Sequence, residues 1–274
     1  MFSGVENTLG ILNPFDGLAR FRLTRHKPAI DLAPFIELHW IVRWDRVGLA
    51  PFEQEILPHP CVNMAFEAGR SAIHGIGTQR FVARLEGFGR VVGTKFRPGA
   101  FLPFAHEPMS NLIDRVVPLT EVFGRQVDGL ETSVLSHADD ELSVSLIEQF
   151  LRSREPTANL TLELVGSLVV LAQTDRSIAQ AEDLARAASM SVRTLYRLFE
   201  RYVGIGPKWI IRRARVQEAA ERVASGAKVE WAPLAQELGY HDQAHLIRDF
   251  KAQVGFTPAA YAARCAAASG SRSP

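Results

Sequence analysis

The C-terminal third of this 274-residue chain repeats itself, and the repeat constrains the fold more than any other feature. At an offset of 51 residues, Leu195 matches Leu246, Arg197 matches Arg248 and Phe199 matches Phe250. The same offset pairs Val203 with Val254, Gly204 with Gly255 and Pro207 with Pro258. Upstream, Leu184-Ala185 matches Leu234-Ala235 at an offset of 50, so the second copy has gained one residue in its turn. Leucines at helical spacing coincide easily, but a paired Gly and Pro at the same offset do not. Internal repeats of this kind mark duplicated supersecondary units.

Each copy reads as helix, tight turn, helix. In the first, residues 181–188 form a short helix with Leu184 and Ala185 inward, and the small Ala185 lets a second helix cross closely. Ser191 N-caps that second helix, because its hydroxyl accepts from a free backbone N–H; the helix runs to about Tyr202 and stops at Gly204. In the second copy Leu234, Ala235 and Leu238 make the first helix and Gly239-Tyr240 the turn. Asp242 then caps a helix that buries Leu246 and Phe250 and ends at Gly255. This is a helix-turn-helix, whose second helix can lie in the major groove of DNA.

With Leu195, Leu198 and Phe199 inward, Val192, Arg193, Tyr196, Arg197 and Glu200 face outward in the first unit. Gln243, Ala244, His245, Ile247, Arg248 and Lys251 do so in the second. Arg reaches guanine O6 and N7 in bidentate fashion, Gln does the same on adenine, and Ile247 or Ala244 suits a thymine methyl. For Arg197 and Arg248 the competing reading is an ion pair within their own domain. Pro207 opens a connecting helix to about Ser225, on which Lys208, Arg212 and Arg213 are candidate phosphate contacts together with Lys251. The competing reading there is a solvated charged face. A helix of roughly 18 residues is about 27 Å long, which suits two recognition helices about 34 Å apart. Charge agrees: residues 1–174 hold 16 Lys and Arg against 20 Asp and Glu, whereas residues 175–274 hold 15 against 10. A basic third suits a polyanion.

The stretch LARAASMSVRTLYRLFERYVGIGPKWIIRRARVQEA, followed by LAQELGYHDQAHLIRDFKAQVGFTPAAY, resembles the DNA-binding domain of the AraC/XylS family of transcriptional regulators. Gly239-Tyr240, Phe250-Lys251, Gly255-Phe256, Pro258 and Tyr261 stand where that family's signature has them. The resemblance covers about residues 176–264 and implies two subdomains joined by a linker helix, reading adjacent major grooves. It implies base contacts from Arg193, Tyr196 and Arg197, then from Gln243, His245, Ile247 and Arg248. Ser189 departs from the pattern, because glycine is common in that turn.

The first part of the chain reads as β. Ile36, Leu38, Trp40, Val42 and Trp44 alternate with Glu37, His39, Ile41, Arg43 and Asp45, a half-buried strand with His39 toward solvent. Val62, Met64 and Phe66 repeat the pattern, as do Val92, Thr94 and Phe96. Gly69, Gly75, Gly77, Gly87, Gly89 and Gly93 punctuate the region as hairpin turns do. Helical periods begin near residue 108, with Leu142, Leu146, Ile147, Phe150 and Leu151 on one face and a further helix over 159–173. The segment of residues 30–105 is similar to a β-rich N-terminal domain of uncharacterised role in such regulators, a barrel or jelly-roll relative. A ligand pocket there would use Trp40, Trp44, Met64, Phe66 and Phe96 as lining and Asn63, Glu67 and Arg97 as polar anchors. An enzyme of the metal-cupin type would need His26, His39, His59, His74 or His106 as ligands, but no His-x-His occurs. Alkyl transfer to Cys61 lacks the four cysteines of a zinc-held acceptor site, so Cys61 reads as a small buried hydrophobe.

The expected fold class is α+β. Residues 1–155 form a β-rich sensor or dimerisation domain with helices, 156–175 a helical linker, 176–265 an all-α double helix-turn-helix domain and 266–274 a disordered tail. The expected partner is double-stranded DNA at a promoter or operator, with RNA polymerase, a small-molecule effector and a second copy of the chain as further candidates. No catalysis, cofactor, metal or membrane is expected. The start MFSGVENTLGIL has no basic segment before an apolar one, and two distant cysteines suit a reducing cytoplasm.

Overall fold

Alternating side chains and closely spaced turns do produce a β-rich first half. The computed structural model describes residues 10–226 and 229–270. A short helix α1 (Pro14–Gly17) precedes β1 (Arg22–His26), β2 (Ile36–Arg46), β3 (Phe52–Ile56), β4 (Asn63–Phe66), β5 (Ala72–His74), β6 (Phe81–Leu85) and β7 (Gly87–Phe96). After α2 (Leu102–Ala105) comes β8 (Val116–Pro118). The strands form an antiparallel sheet in the order β1-β2-β7-β4-β5-β8, with β3 and β6 paired as a separate ladder. The helices α3 (Leu119–Phe123), α4 (Leu130–Leu135), α5 (Asp140–Arg152) and α6 (Leu160–Thr174) follow. Asn159 caps α6 by accepting from the Leu162 N–H at 3.0 Å.

Two readings of the strands change. A register shift between Ile36 and Leu38 lies at the start of β2, so past it the odd residues His39 and Ile41 face the helices and are fully buried. His39 is thus an interior residue. It hydrogen-bonds Thr94 Oγ1 at 2.9 Å and lies 3.4 Å from Glu148 of α5. Further along the same face, Arg43, Arg90 and Thr24 converge on Asp140. Their hydrogen bonds and charges outweigh the cost of burial and hold Asp140 down to about 2. The second change concerns glycine. Gly89 and Gly93 are mid-strand residues rather than turns; a Cβ on them would lie 2.0 Å from the Trp44 ring and 2.1 Å from the Trp40 ring. Each indole lies across its directly opposed glycine.

The C-terminal half consists of α7 (Ala181–Ala187), α8 (Val192–Leu198), α9 (Pro207–Ala224), α10 (Trp231–Glu237), α11 (Gln243–Val254) and α12 (Pro258–Gly270). The helix after Ser191 ends in a π turn, Phe199–Val203, in place of regular helix to Tyr202. α12 continues to Gly270, through Ala/Ser-rich residues expected to form a tail; residues 271–274 lie outside the described residues.

The cores cross the boundary that the sequence places near residue 175. One continuous apolar cluster holds Ile41, Phe66 and Phe96 of the sheet, Val165 and Val169 of α6, and Leu184, Leu195, Phe199, Ile210 and Ile211 of the first repeat. A second cluster gathers Val216, Ala219, Leu234, Leu246, Phe250 and Tyr261 of the second repeat around Leu12 and Leu57 from the first half. Beside it Glu55 pairs with Arg80 and, at 3.0 Å, with Arg264; both guanidinium groups lie over the Phe256 ring. The first half of the chain therefore packs against both repeats.

Candidate nucleic-acid interface

The two repeats build the same local device. A Gln180–Asp183 capping box starts α7, and the Met190 N–H bonds the Ala185 carbonyl at 3.0 Å across the turn. In the second copy the Tyr240 N–H bonds the Ala235 carbonyl at 2.8 Å, the equivalent contact. Ser189 (φ 51°) and Gly239 (φ 69°) both take the left-handed conformation that bends each turn. The extra residue of the second turn follows this point, at His241. Ser191 then accepts from the Thr194 N–H at 3.1 Å, and Asp242 from the His245 N–H at 2.7 Å. Both helices start from capped N-termini because both sequences place a short acceptor one residue ahead of the first turn.

Burial separates the faces as the repeat predicts. Leu195, Phe199, Leu246 and Phe250 are fully buried. Arg193, Tyr196 and Arg197 of α8 are exposed, as are Gln243, Ala244 and Arg248 of α11. Lys208 and Lys251 are exposed too, while Ile247 is half-buried. Among the described residues, Arg193, Arg197, Lys208, Arg248 and Lys251 make no ion pair, so the competing reading of Arg197 and Arg248 as intradomain ion pairs is not what the structure contains. His245 is half-buried, edge-on to Tyr240 at 5.1 Å and 3.8 Å from Asp249.

Two of the phosphate candidates are engaged within the protein. Arg213 is 2% exposed. Its Nε donates to the Pro58 carbonyl at 2.7 Å and its Nη1 to Gln217 at 2.9 Å. It faces the first half of the chain because α9 turns Ile210, Arg213 and Gln217 to one side, about one helical turn apart. Arg212 is bound through Nε and Nη2 to Asp249, a buried carboxylate on α11. It ties the linker helix to the second recognition helix, and its guanidinium is held more strongly basic by that pair. The helical stripe could not reveal Asp249, which lies between Arg248 and Phe250 and looks solvent-facing by charge alone.

The ligand candidates do not converge. Trp40 donates to Asn63 at 3.2 Å, but Trp44 lies with Phe21 and Leu85 in a separate cluster and donates to the Glu86 carbonyl. Glu67 closes the β4–β5 turn with Arg70 and Ser71, and Arg97 holds the Ala33 carbonyl at 2.7 Å. Met64, Phe66 and Phe96 are core. The crevice beside Cys61, Phe101, Met109 and Tyr202 has no room for a water molecule, and of the anchors only Arg97 lines it. Cys61 is buried, and burial pushes its thiol up to about 11. Among the described residues no three His, Cys, Asp or Glu side chains gather as metal ligands, and no helix is long and apolar enough to cross a membrane.

Comparison with known proteins bears on this geometry. Residues 184–264 match the family described as a helix-turn-helix domain, and residues 24–118 match a domain of unknown function, DUF6597. The chain is 27% identical over 249 residues to the transcriptional activator NphR of Rhodococcus sp, covering 90% of this chain and 67% of that protein. It is 28% identical over 128 residues to an uncharacterised HTH-type transcriptional regulator of Haemophilus influenzae, covering 47% and 40% of the two chains. Among solved structures it is similar to ToxT from Vibrio cholerae, at 12% identity and a TM-score of 0.39, over 89% of this chain and 98% of that one. Duplicated and capped helix-turn-helix units, the signature residues of the second unit, the family match over residues 184–264 and the two relatives named as transcription regulators agree: the chain carries a helix-turn-helix domain of the AraC type in its C-terminal half, behind a β-rich domain of unassigned role, and is similar to transcription regulators.

Proposed function

We propose that this regulator reads two adjacent major-groove segments of duplex DNA, α8 presenting Arg193, Tyr196 and Arg197 and α11 presenting Gln243, His245, Ile247 and Arg248. The observation that carries this is the set of unpaired, exposed arginines on the outward faces of two equivalently capped helices. Lys208 and Lys251, exposed and unpaired, serve as phosphate contacts that position without specifying. The first half of the chain acts on this binding through the cores it shares with both units. An effector or a second copy that shifts the β3–β6 ladder against α12 then alters DNA affinity, and DNA alters its affinity in turn.

Selection from a random duplex pool supplies the operator, and two variants test the roles. Arg248→Ala costs about 1–3 kcal/mol on the selected sequence and little on a scrambled one. Lys208→Ala weakens both duplexes alike and lowers the salt slope by about one. Equal losses by both variants on both duplexes refute the division into readers and anchors.

A further inference from the structure

The two reading units have separate cores, and the division falls in the middle of the linker helix. Ile210 and Ile211 belong to the first cluster; Val216, Ala219, Ala220 and Val223 belong to the second. Arg215 lies at the junction. Its Nη2 donates to the Ala179 carbonyl at 3.0 Å and reaches that of Ile178 at 3.5 Å. Its Nη1 reaches the Gly239 carbonyl at 3.5 Å, and the guanidinium lies over the Tyr240 ring, 5.9 Å from its centre. Ile178 and Ala179 lead into α7, while Gly239 and Tyr240 are the turn that delivers α11. One side chain thus holds the entry of one unit and the turn of the other.

The site suits an arginine and no other residue. A planar fork of donors can serve carbonyls on two sides at once, which a single ammonium on a flexible stem cannot do. Gly239 is required by the left-handed backbone of the turn (φ 69°) and not to make room, since a Cβ there would meet Nη2 only at an ordinary contact of 3.4 Å. The group is half-buried, and that burial lowers its basicity, so little solvent competes for the carbonyls. A parallel relay runs from Arg176 through Glu218 and Arg222 to Glu237, but its two outer members are exposed, and pairs open to solvent contribute little.

We propose that Arg215 sets the separation and twist between the two recognition helices, and so determines which half-site spacing on DNA the protein accepts. This rests on the reading that both units engage DNA together. One inserted base pair moves the second half-site by about 3.4 Å and turns it by roughly a tenth of a helical turn. A pair of units fixed to each other cannot follow that displacement, and a loosened pair can.

The test uses full-length protein and an operator selected from random DNA, re-synthesised with base pairs added or removed between its halves. The wild type loses roughly tenfold or more for each inserted base pair, comparable to a mismatch in a specific site. Arg215→Ala and Arg215→Lys both flatten this profile to within about threefold, although the lysine keeps the charge. A second readout needs no DNA. Spin labels on exposed Glu200→Cys and Ala252→Cys, in a protein whose native cysteines are buried, report the distance between the π turn that ends the first recognition helix and α11. That distance distribution broadens in both Arg215 variants. Variants that keep the wild-type spacing profile and bind all duplexes more weakly would make Arg215 a phosphate contact and overturn the proposal. An unchanged distance distribution also overturns it. A wild type that binds no selected DNA refutes the DNA reading instead, while the label distances still decide whether Arg215 holds the units.

Discussion

Replacing Arg213 by Met separates what the sequence suggests for this residue from what the structure assigns. As a phosphate contact, Arg213 would contribute about one unit to the salt slope of DNA binding. As a buried bridge from α9 to the Pro58 carbonyl, it contributes to stability and not to that slope. Burial lowers its basicity from the ordinary arginine value to about 10, which corresponds to roughly 3 kcal/mol spent on keeping a charge in the interior. Against this stand hydrogen bonds to Pro58 and Gln217, of about 1.5–3 kcal/mol each for a charged donor. The terms nearly cancel, as is usual for buried charges. Met keeps the aliphatic stem, so Arg213→Met changes stability by no more than about 2 kcal/mol in either direction. Arg213→Ala also loses two buried methylenes at about 0.8 kcal/mol each, so it melts below the Met variant, by a few degrees for a chain of this size. Thermal melts and salt-dependent DNA titrations of the three proteins give the comparison. A Met variant with unchanged melting and a salt slope reduced by one would refute the structural assignment.

Three further outcomes are expected. Ser189→Gly relieves a left-handed backbone that costs a non-glycine residue about 1–2 kcal/mol, so after glycine's own entropy cost it raises stability by up to about 1 kcal/mol in denaturant melts; a less stable variant would show that the Ser189 side chain contributes more than its backbone strain. Burial, partly opposed by Glu148 and reinforced by the charge of His26, keeps His39 less basic in the fold than in the unfolded chain. The stability this represents is complete above the unfolded value near 6.5 and falls as pH drops below it, so His39→Gln flattens the acid limb of a stability–pH profile; an identical limb in both proteins would exclude His39 as its origin. Residues 176–270 on their own expose the faces of Phe199, Val203 and Ile211 that meet the first half of the chain, so this fragment melts well below the full protein and less cooperatively; equal melting would show that the shared core is dispensable.

What the sequence determined by itself is what depends on near neighbours. Ser191, Asp242 and Asn159 cap helices because each acceptor and its N–H lie two or three residues apart. The repeat located both turns, the residue gained in the second, and the exposed faces of α8 and α11, since one helical period fixes them all. The tertiary structure decided whatever depends on segments far apart in the chain. A register shift at Ile36 reversed the inward face of β2 and buried His39, although simple alternation pointed the other way. Gly89 and Gly93 resemble turn residues until the Trp44 and Trp40 rings of the neighbouring strand lie across them. Arg212, Arg213 and Arg215 are three similar letters on one helix, yet one grips a carboxylate on α11, one a carbonyl 155 residues away, and one both reading units at once. Charge is written in each residue, but its partner is chosen by packing, which brings distant segments together only when the whole core forms.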